Sequence, residues 1–111
     1  MTREVLESDW KVFRELRDVA LQRYCERVCD DFDRVRHDGS KTYHERYLDI
    51  FDLLQDRNTE MARVFNNPKR SAMYRQLALL QVLDLIEPGE FERFTPATRE
   101  HVQVLPKEVL D

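Results

Sequence analysis

The sequence is short of the residues that make turns and cross-links. Two glycines and four prolines in 111 residues are too few for a β-rich fold, where nearly every hairpin needs its own turn former. The two cysteines, Cys25 and Cys29, stand four apart in a segment whose pattern predicts helix. Their Cα atoms would lie about 6 Å apart with both Cβ vectors pointing outward, a poor geometry for a disulfide. Two thiolates also fall short of the four ligands of structural zinc, so we read both as soft residues at the edge of a helix–helix seam. No apolar run approaches the ~20 residues that span a bilayer. The opening MTREVLESDW lacks the apolar core of a signal peptide, so cytoplasmic residence and no membrane partner are the expectation. Positive charge is in deficit: 18 Lys and Arg against 22 Asp and Glu give a net charge of −4 and a pI near 5.4. No global field therefore draws the chain to nucleic acid or anionic lipid.

What is present points to helices. Charged residues make up 36% of the chain and hydrophobic ones 41%, with eleven aromatics, a balance of solvated helix faces around a modest single core. Its centre is Ser71–Ile86, SAMYRQLALLQVLDLI, where eleven of sixteen residues are apolar. Stepped at roughly 100° per residue these cover most of the helix circumference. Such a helix must be buried on more than one side.

Before it, Ser8 fits an N-cap and Asp9 the positive end of the helix dipole. Trp10, Phe13, Leu16, Ala20, Leu21, Tyr24, Val28, Phe32 and Val35 then recur at three- and four-residue steps, and Gly39 suits a C-terminal cap. Seven basic and eight acidic residues between Asp9 and Asp38 lace its outer face. Thr42 and Glu45 form a capping box for a second helix. It runs through Tyr43, Tyr47, Ile50, Phe51, Leu54, Met61 and Phe65, and the apolar stripe thins at QDRNTE, residues 55–60. Asn67 and Pro68 fit the cap and first position of the central helix, which Glu87-Pro88-Gly89 ends. Thr95-Pro96 repeats the cap-and-proline pattern for a short helix to about Leu105. The expected fold is all-α: three main antiparallel helices plus a short C-terminal one, in a single domain with a loose start at residues 1–7 and a tail at 106–111.

The segments HERYLDIFDLLQDRNTEMARVFNN, RSAMYRQLALLQVLDLI and FERFTPATREHV resemble a group of short, all-helical conserved hypothetical proteins of proteobacteria. The likeness covers about Trp10 to Leu105. It implies a small cytoplasmic bacterial helical protein and carries no activity, cofactor or site residue across.

Chemistry-bearing patterns are sparse. No histidine is placed by spacing near either thiol, and no glycine-rich turn offers an oxyanion hole, so no catalytic residue is assigned and no cofactor is expected. Asp33 and His37 are four apart, and His44 lies just beyond the loop. That is the nearest approach to a metal set, but the Glu-x-x-His repeats of di-iron bundles are absent. Asn67, Lys69, Arg70 and Arg75 cluster where the central helix begins, with no acid between Glu60 and Asp84. A helix N-terminus with cations is fit to hold an anion or a nucleic-acid phosphate. The reading favoured over these is association. The apolar helix, through Met73, Tyr74, Leu79, Leu83 and Ile86, would meet the same helix of a second copy across a two-fold axis, unless the C-terminal segment folds back and seals it. The expected function is a protein–protein interaction or regulatory module that works as a homodimer and by binding, not catalysis.

Overall fold

A computed structural model describes residues 5–106, so the expected loose start lies mostly, and the expected tail almost wholly, outside the described residues. The described residues are all-α, with no strand among them. Helix α1 spans Glu7–Arg36 and α2 spans Tyr43–Phe65. A single 3₁₀ turn, Arg70–Ala72, leads into α3, Met73–Val82, followed by the short α4, Pro88–Phe91, and by α5, Pro96–Gln103.

Helices α1 and α2 form an antiparallel hairpin. The Tyr24 hydroxyl lies 3.0 Å from the Arg57 carbonyl and 2.9 Å from the Glu60 carboxylate, and Arg57 donates to Asp31 at 3.3 Å. Burial first, and the bond to Glu60 second, push the Tyr24 hydroxyl up to about 12, so it serves as a fixed donor. The polar run at residues 55–60 is thus a clasp across the hairpin seam, and the helix passes through it unbroken. The predicted Thr42–Glu45 capping box is present, with both reciprocal hydrogen bonds.

The core lies at the base of this hairpin. Phe13, Leu16, Ala20 and Tyr24 of α1 and Val64 and Phe65 of α2 pack with Met73, Leu77, Leu79, Leu80, Leu85, Phe94 and Val102. Helix α3 is covered by α1, α2 and α5 together. At 1.5 Å per residue α1 is about 45 Å long and α2 about 35 Å, whereas α3 reaches only about 15 Å. The molecule is correspondingly elongated, 55 × 26 × 21 Å, with a radius of gyration of 16.9 Å, against about 13 Å for a compact chain near this length. From Cys25 to Arg63 not one residue is buried. The outer hairpin projects beyond the core.

Scarcity of glycine shows in how the helices end. No glycine has positive φ, and α1 ends at Arg36 with His37 as its C-cap, so Gly39 does not supply the left-handed cap its position suggests. Arginines of α1 satisfy the terminal carbonyls instead. Arg17 donates to Phe65 O, the last residue of α2, at 2.6 Å. Arg23 donates to Leu85 O at 2.9 Å, and Arg27 reaches Leu83 O and Asp84 O at the end of α3. A cation suits these helix C-termini.

Helix α3 ends earlier than its apolar run, at Val82, because Asp84 turns left-handed at φ 57°. Asp84 N donates to Gln81 O and Leu85 N to Leu80 O, both at 2.9 Å. This is a complete Schellman closure, with buried Leu85 against buried Leu80. A non-glycine residue is strained at such a φ. Asp84→Gly is therefore expected to raise stability by about 0.5–1 kcal/mol, read as a higher urea midpoint at unchanged m-value.

Two further cap expectations are corrected. The N-cap position of α1 is Leu6, with no side-chain cap, and exposed Ser8 lies inside the helix. Asn67 and Pro68 lie in the loop before the 3₁₀ turn, Asn67 at φ 52°, and the residue ahead of α3 is Ala72. Asp9 caps another helix altogether. Its carboxylate, 1% exposed, accepts Thr95 N at 2.9 Å, the Thr95 hydroxyl at 2.7 Å and the Thr98 hydroxyl at 2.6 Å. It thereby ties the first turn of α1 to the start of α5.

Candidate interaction surface

The apolar residues of α2 lie on two strips. Leu53 and Val64 fall on the strip that carries Arg57 and Glu60, turned to α1. At about 100° per residue Tyr43, Tyr47, Phe51 and Leu54 fall within about 80° of one another on the adjacent strip, which Met61 and Phe65 continue. At its inner end the strip is core: Phe65 is 2% exposed and packs edge-on against Tyr24 at 5.7 Å. At its outer end it is open. Tyr43 is 75% exposed, Tyr47 64%, Phe51 52% and Leu54 41%, with Leu48 at 46% on the margin. Taking ~200 Å² for an aromatic side chain, these five present roughly 500 Å² of accessible surface. That is at the upper end of the largest apolar patch of an ordinary monomer.

Local chemistry keeps the surface helical and rigid. The Thr42–Glu45 box fixes the first turn. Lys41 pairs with Asp49. Arg46 lies over the Tyr43 ring at 4.7 Å and donates to Lys41 O at 3.1 Å and to Arg36 O at 3.3 Å, closing the loop between the helices. Arg46 thus lies against the strip at Tyr43 while its donors are taken by loop carbonyls, and positions 43, 47, 51 and 54 themselves carry no charge.

The residues expected at the dimer seam lie elsewhere. Met73 is 0% exposed, Leu79 2% and Ile86 8%, so these side chains have no surface to offer a second subunit. Tyr74 and Leu83 are half-buried against the same core, and Tyr74 lies beside His101 of α5 at a ring separation of 4.2 Å. The folding-back of the C-terminal segment covers α3, which corrects its assignment as an interface.

The cationic cluster is dispersed. Lys69 and Asn67 are exposed in the loop, Arg70 pairs with Glu7 of α1 and lies 5.8 Å over Trp10, and Arg75 is half-buried one turn further on. His37 turns its Nδ1 to Asp33 O at 2.8 Å, and Asp33 and His44 are exposed. Among the described residues no three His, Cys, Asp or Glu side chains stand close enough together to hold a metal ion. Cys25 and Cys29 are free thiols, the first half-buried and the second exposed.

Two clefts exist. One, of about 280 Å³, lies between α1, α2 and the end of α3 and is lined by Tyr24, Arg27, Asp31, Arg57 and Glu60 among others. Its charged groups are committed to one another and to backbone carbonyls through the bonds given above. The other, of about 410 Å³, is a shallow hollow where Gln81, Asp84, Phe91, Arg99 and Gln103 meet. Neither gathers a nucleophile with a base. No helix of the described residues is long and apolar enough to cross a membrane.

The open strip eluded sequence reasoning because its residues share one period with Met61 and Phe65, and period alone marks them as core. The available signal was length: helices of about eight and six turns cannot both be covered by a central helix of about four. Comparison with protein-family models, with curated proteins and with solved structures finds no match.

Proposed function

We propose that this is a small cytoplasmic interaction module, bacterial as its resemblance implies, that acts by binding and presents the aromatic face of its projecting hairpin to another helical surface. On this reading α1, α2 and α3 act as an antiparallel three-helix bundle closed by α5, and the outer hairpin is the working part. One observation carries the proposal. The apolar strip of α2 runs from the core toward the tip, interrupted at the polar turn of residues 55–60, and its outer half, Tyr43, Tyr47, Phe51 and Leu54, is open to solvent. A helix pair with one seam buries little apolar surface, and a layer of helices ordinarily covers such a face. Tyr and Phe supply large contact area at low conformational-entropy cost and are enriched where binding energy concentrates.

The test separates a binding face from a folding face. Tyr47→Glu with Phe51→Glu is expected to leave stability within about 0.5 kcal/mol in dilute solution, as for surface positions. The fluorescence of a dye that brightens on apolar surface is expected to fall. A stability loss above about 2 kcal/mol would show that the strip is packed within the chain's own fold, and the reading would be wrong.

A further inference from the structure

Resting on that reading, we infer that the occupant of the α2 face is a second copy of this chain, packed antiparallel about a two-fold axis that crosses the strip between Tyr47 and Phe51, level with positions 48 and 49. Two observations carry this beyond a generic apolar patch. The first is spacing. Positions 43, 47, 51 and 54 are separated by steps of four, four and three, and Ile50 is half-buried beside Phe51. Read backwards, the series falls on nearly the same positions. Laid antiparallel against itself, α2 therefore brings Tyr43 to Leu54 of the second copy and Tyr47 to Phe51 of the second copy, and both pairs occur twice. A two-fold interface requires this self-complementarity, since the same patch must serve both sides. An unrelated partner does not.

The second observation is area against charge. Roughly 500 Å² from each copy gives a contact of about 1,000 Å² before the flanking stems are added, the least that a specific interface needs. None of the positions 43, 47, 50, 51 and 54 is charged, so closure strands no unpaired ion. The acids Asp52 and Asp56 of α2 lie on the far side of the helix from the strip by the same 100° count. The two tyrosine hydroxyls can stay at the wet rim while their rings are covered. Such a contact also extends each hairpin seam into a four-helix layer where residues 25–63 hold no buried residue of their own. The site is thus completed by the copy, through the face that α3 cannot reach.

The experiment is solution mass by light scattering or sedimentation over about 1–500 μM of the full chain. The expected result is a dimer of the 13.4 kDa chain, with a dissociation constant raised at least about 30-fold by Phe51→Glu, as for an interface hot spot. Val82→Glu, at a residue 63% exposed outside the strip, is expected to leave the dimer intact. With Cys25→Ser and Cys29→Ser as background, Tyr43→Cys plus Leu54→Cys in one chain is expected to cross-link copies through a short bis-maleimide linker. Tyr43→Cys alone would not, because like positions stand about 8 Å to either side of the axis, about 16 Å apart along the helices. A dimer indifferent to Phe51→Glu, or linked through Tyr43→Cys alone, overturns the inference. A monomer at every concentration overturns it as well. The binding reading would still stand in that last case if the paired glutamate variant kept its stability and lost its dye signal, and the occupant would then be a different protein.

Discussion

Asp9→Ala is expected to lower stability by about 3 kcal/mol, a fall of about 12 °C in melting temperature for a domain of this size. The carboxylate is buried and accepts three hydrogen bonds, two from hydroxyls and one from a backbone amide. Alanine removes the acceptor and leaves Thr95 and Thr98 at a sealed contact with donors that water cannot easily reach. It also uncaps α5, the helix that closes α3. Asp9→Asn keeps one acceptor oxygen but not the charge beside the helix N-terminus, and about half the loss is expected.

The pH dependence has the same origin. Burial opposes ionisation of Asp9, but the Thr98 hydroxyl and the Thr95 hydroxyl and amide together outweigh it, and the group titrates below the ordinary carboxylate value. The folded pKa lies under the unfolded one, about 3.9, so the unfolded chain binds more protons in acid. The contribution is complete above about pH 5 and is lost as pH falls through 4 and below. Thermal melts from pH 7 to 3 are expected to show a steep fall under pH 4 in the native protein and a shallower one in Asp9→Asn. Equal slopes would remove Asp9 from the account.

Arg23→Ala is expected to cost about 2 kcal/mol. The guanidinium makes a forked pair with Glu90 at 2.6 and 2.9 Å and a third bond to Leu85 O. The two side chains are 30% and 20% exposed, so the pair falls between a surface ion pair and a buried one. The hydrogen bonds from Arg23 are the main cause that holds the Glu90 carboxyl below the usual range. Lysine keeps the charge and loses the fork, and Arg23→Lys is expected to recover about half of the stability. A double-mutant cycle with Glu90→Gln should give a coupling of about 1 kcal/mol. A coupling near zero would mean that the clamp acts through the Leu85 carbonyl alone.

Where signals were local, the sequence was readable. The start of α2 follows from Thr42 and Glu45, the start of α5 from Thr95-Pro96, and the core faces of α1 and α3 from three- and four-residue steps. What failed were claims about which distant group a side chain meets. Asp9 has the signature of a residue that favours its own helix dipole, yet its partners are 86 and 89 residues away. Arg17, Arg23 and Arg27 have the pattern of a solvated face, yet they finish α2 and α3. The apolar run to Ile86 implies a sixteen-residue helix with a face to spare. Asp84 breaks it, and the remaining ten-residue helix has its Met73, Leu77, Leu79 and Leu80 side chains enclosed by α1, α2 and α5. The open strip on α2 is the complement of that error. Periodicity says which residues share a face and is silent on whether anything is long enough to cover it.

The clasp between Asp9 and α5 sets an order of events during synthesis. The hairpin of α1 and α2 depends on near neighbours and can form as soon as Phe65 has left the ribosome. The lower face of α1, Phe13, Leu16 and Ala20, must then wait in water until α3 arrives with Met73, Leu77 and Leu80, and Asp9 until Thr95 and Thr98 follow. During that interval the nascent protein carries two uncovered apolar surfaces, one at each end of the hairpin, and only the lower one is closed by its own remaining residues.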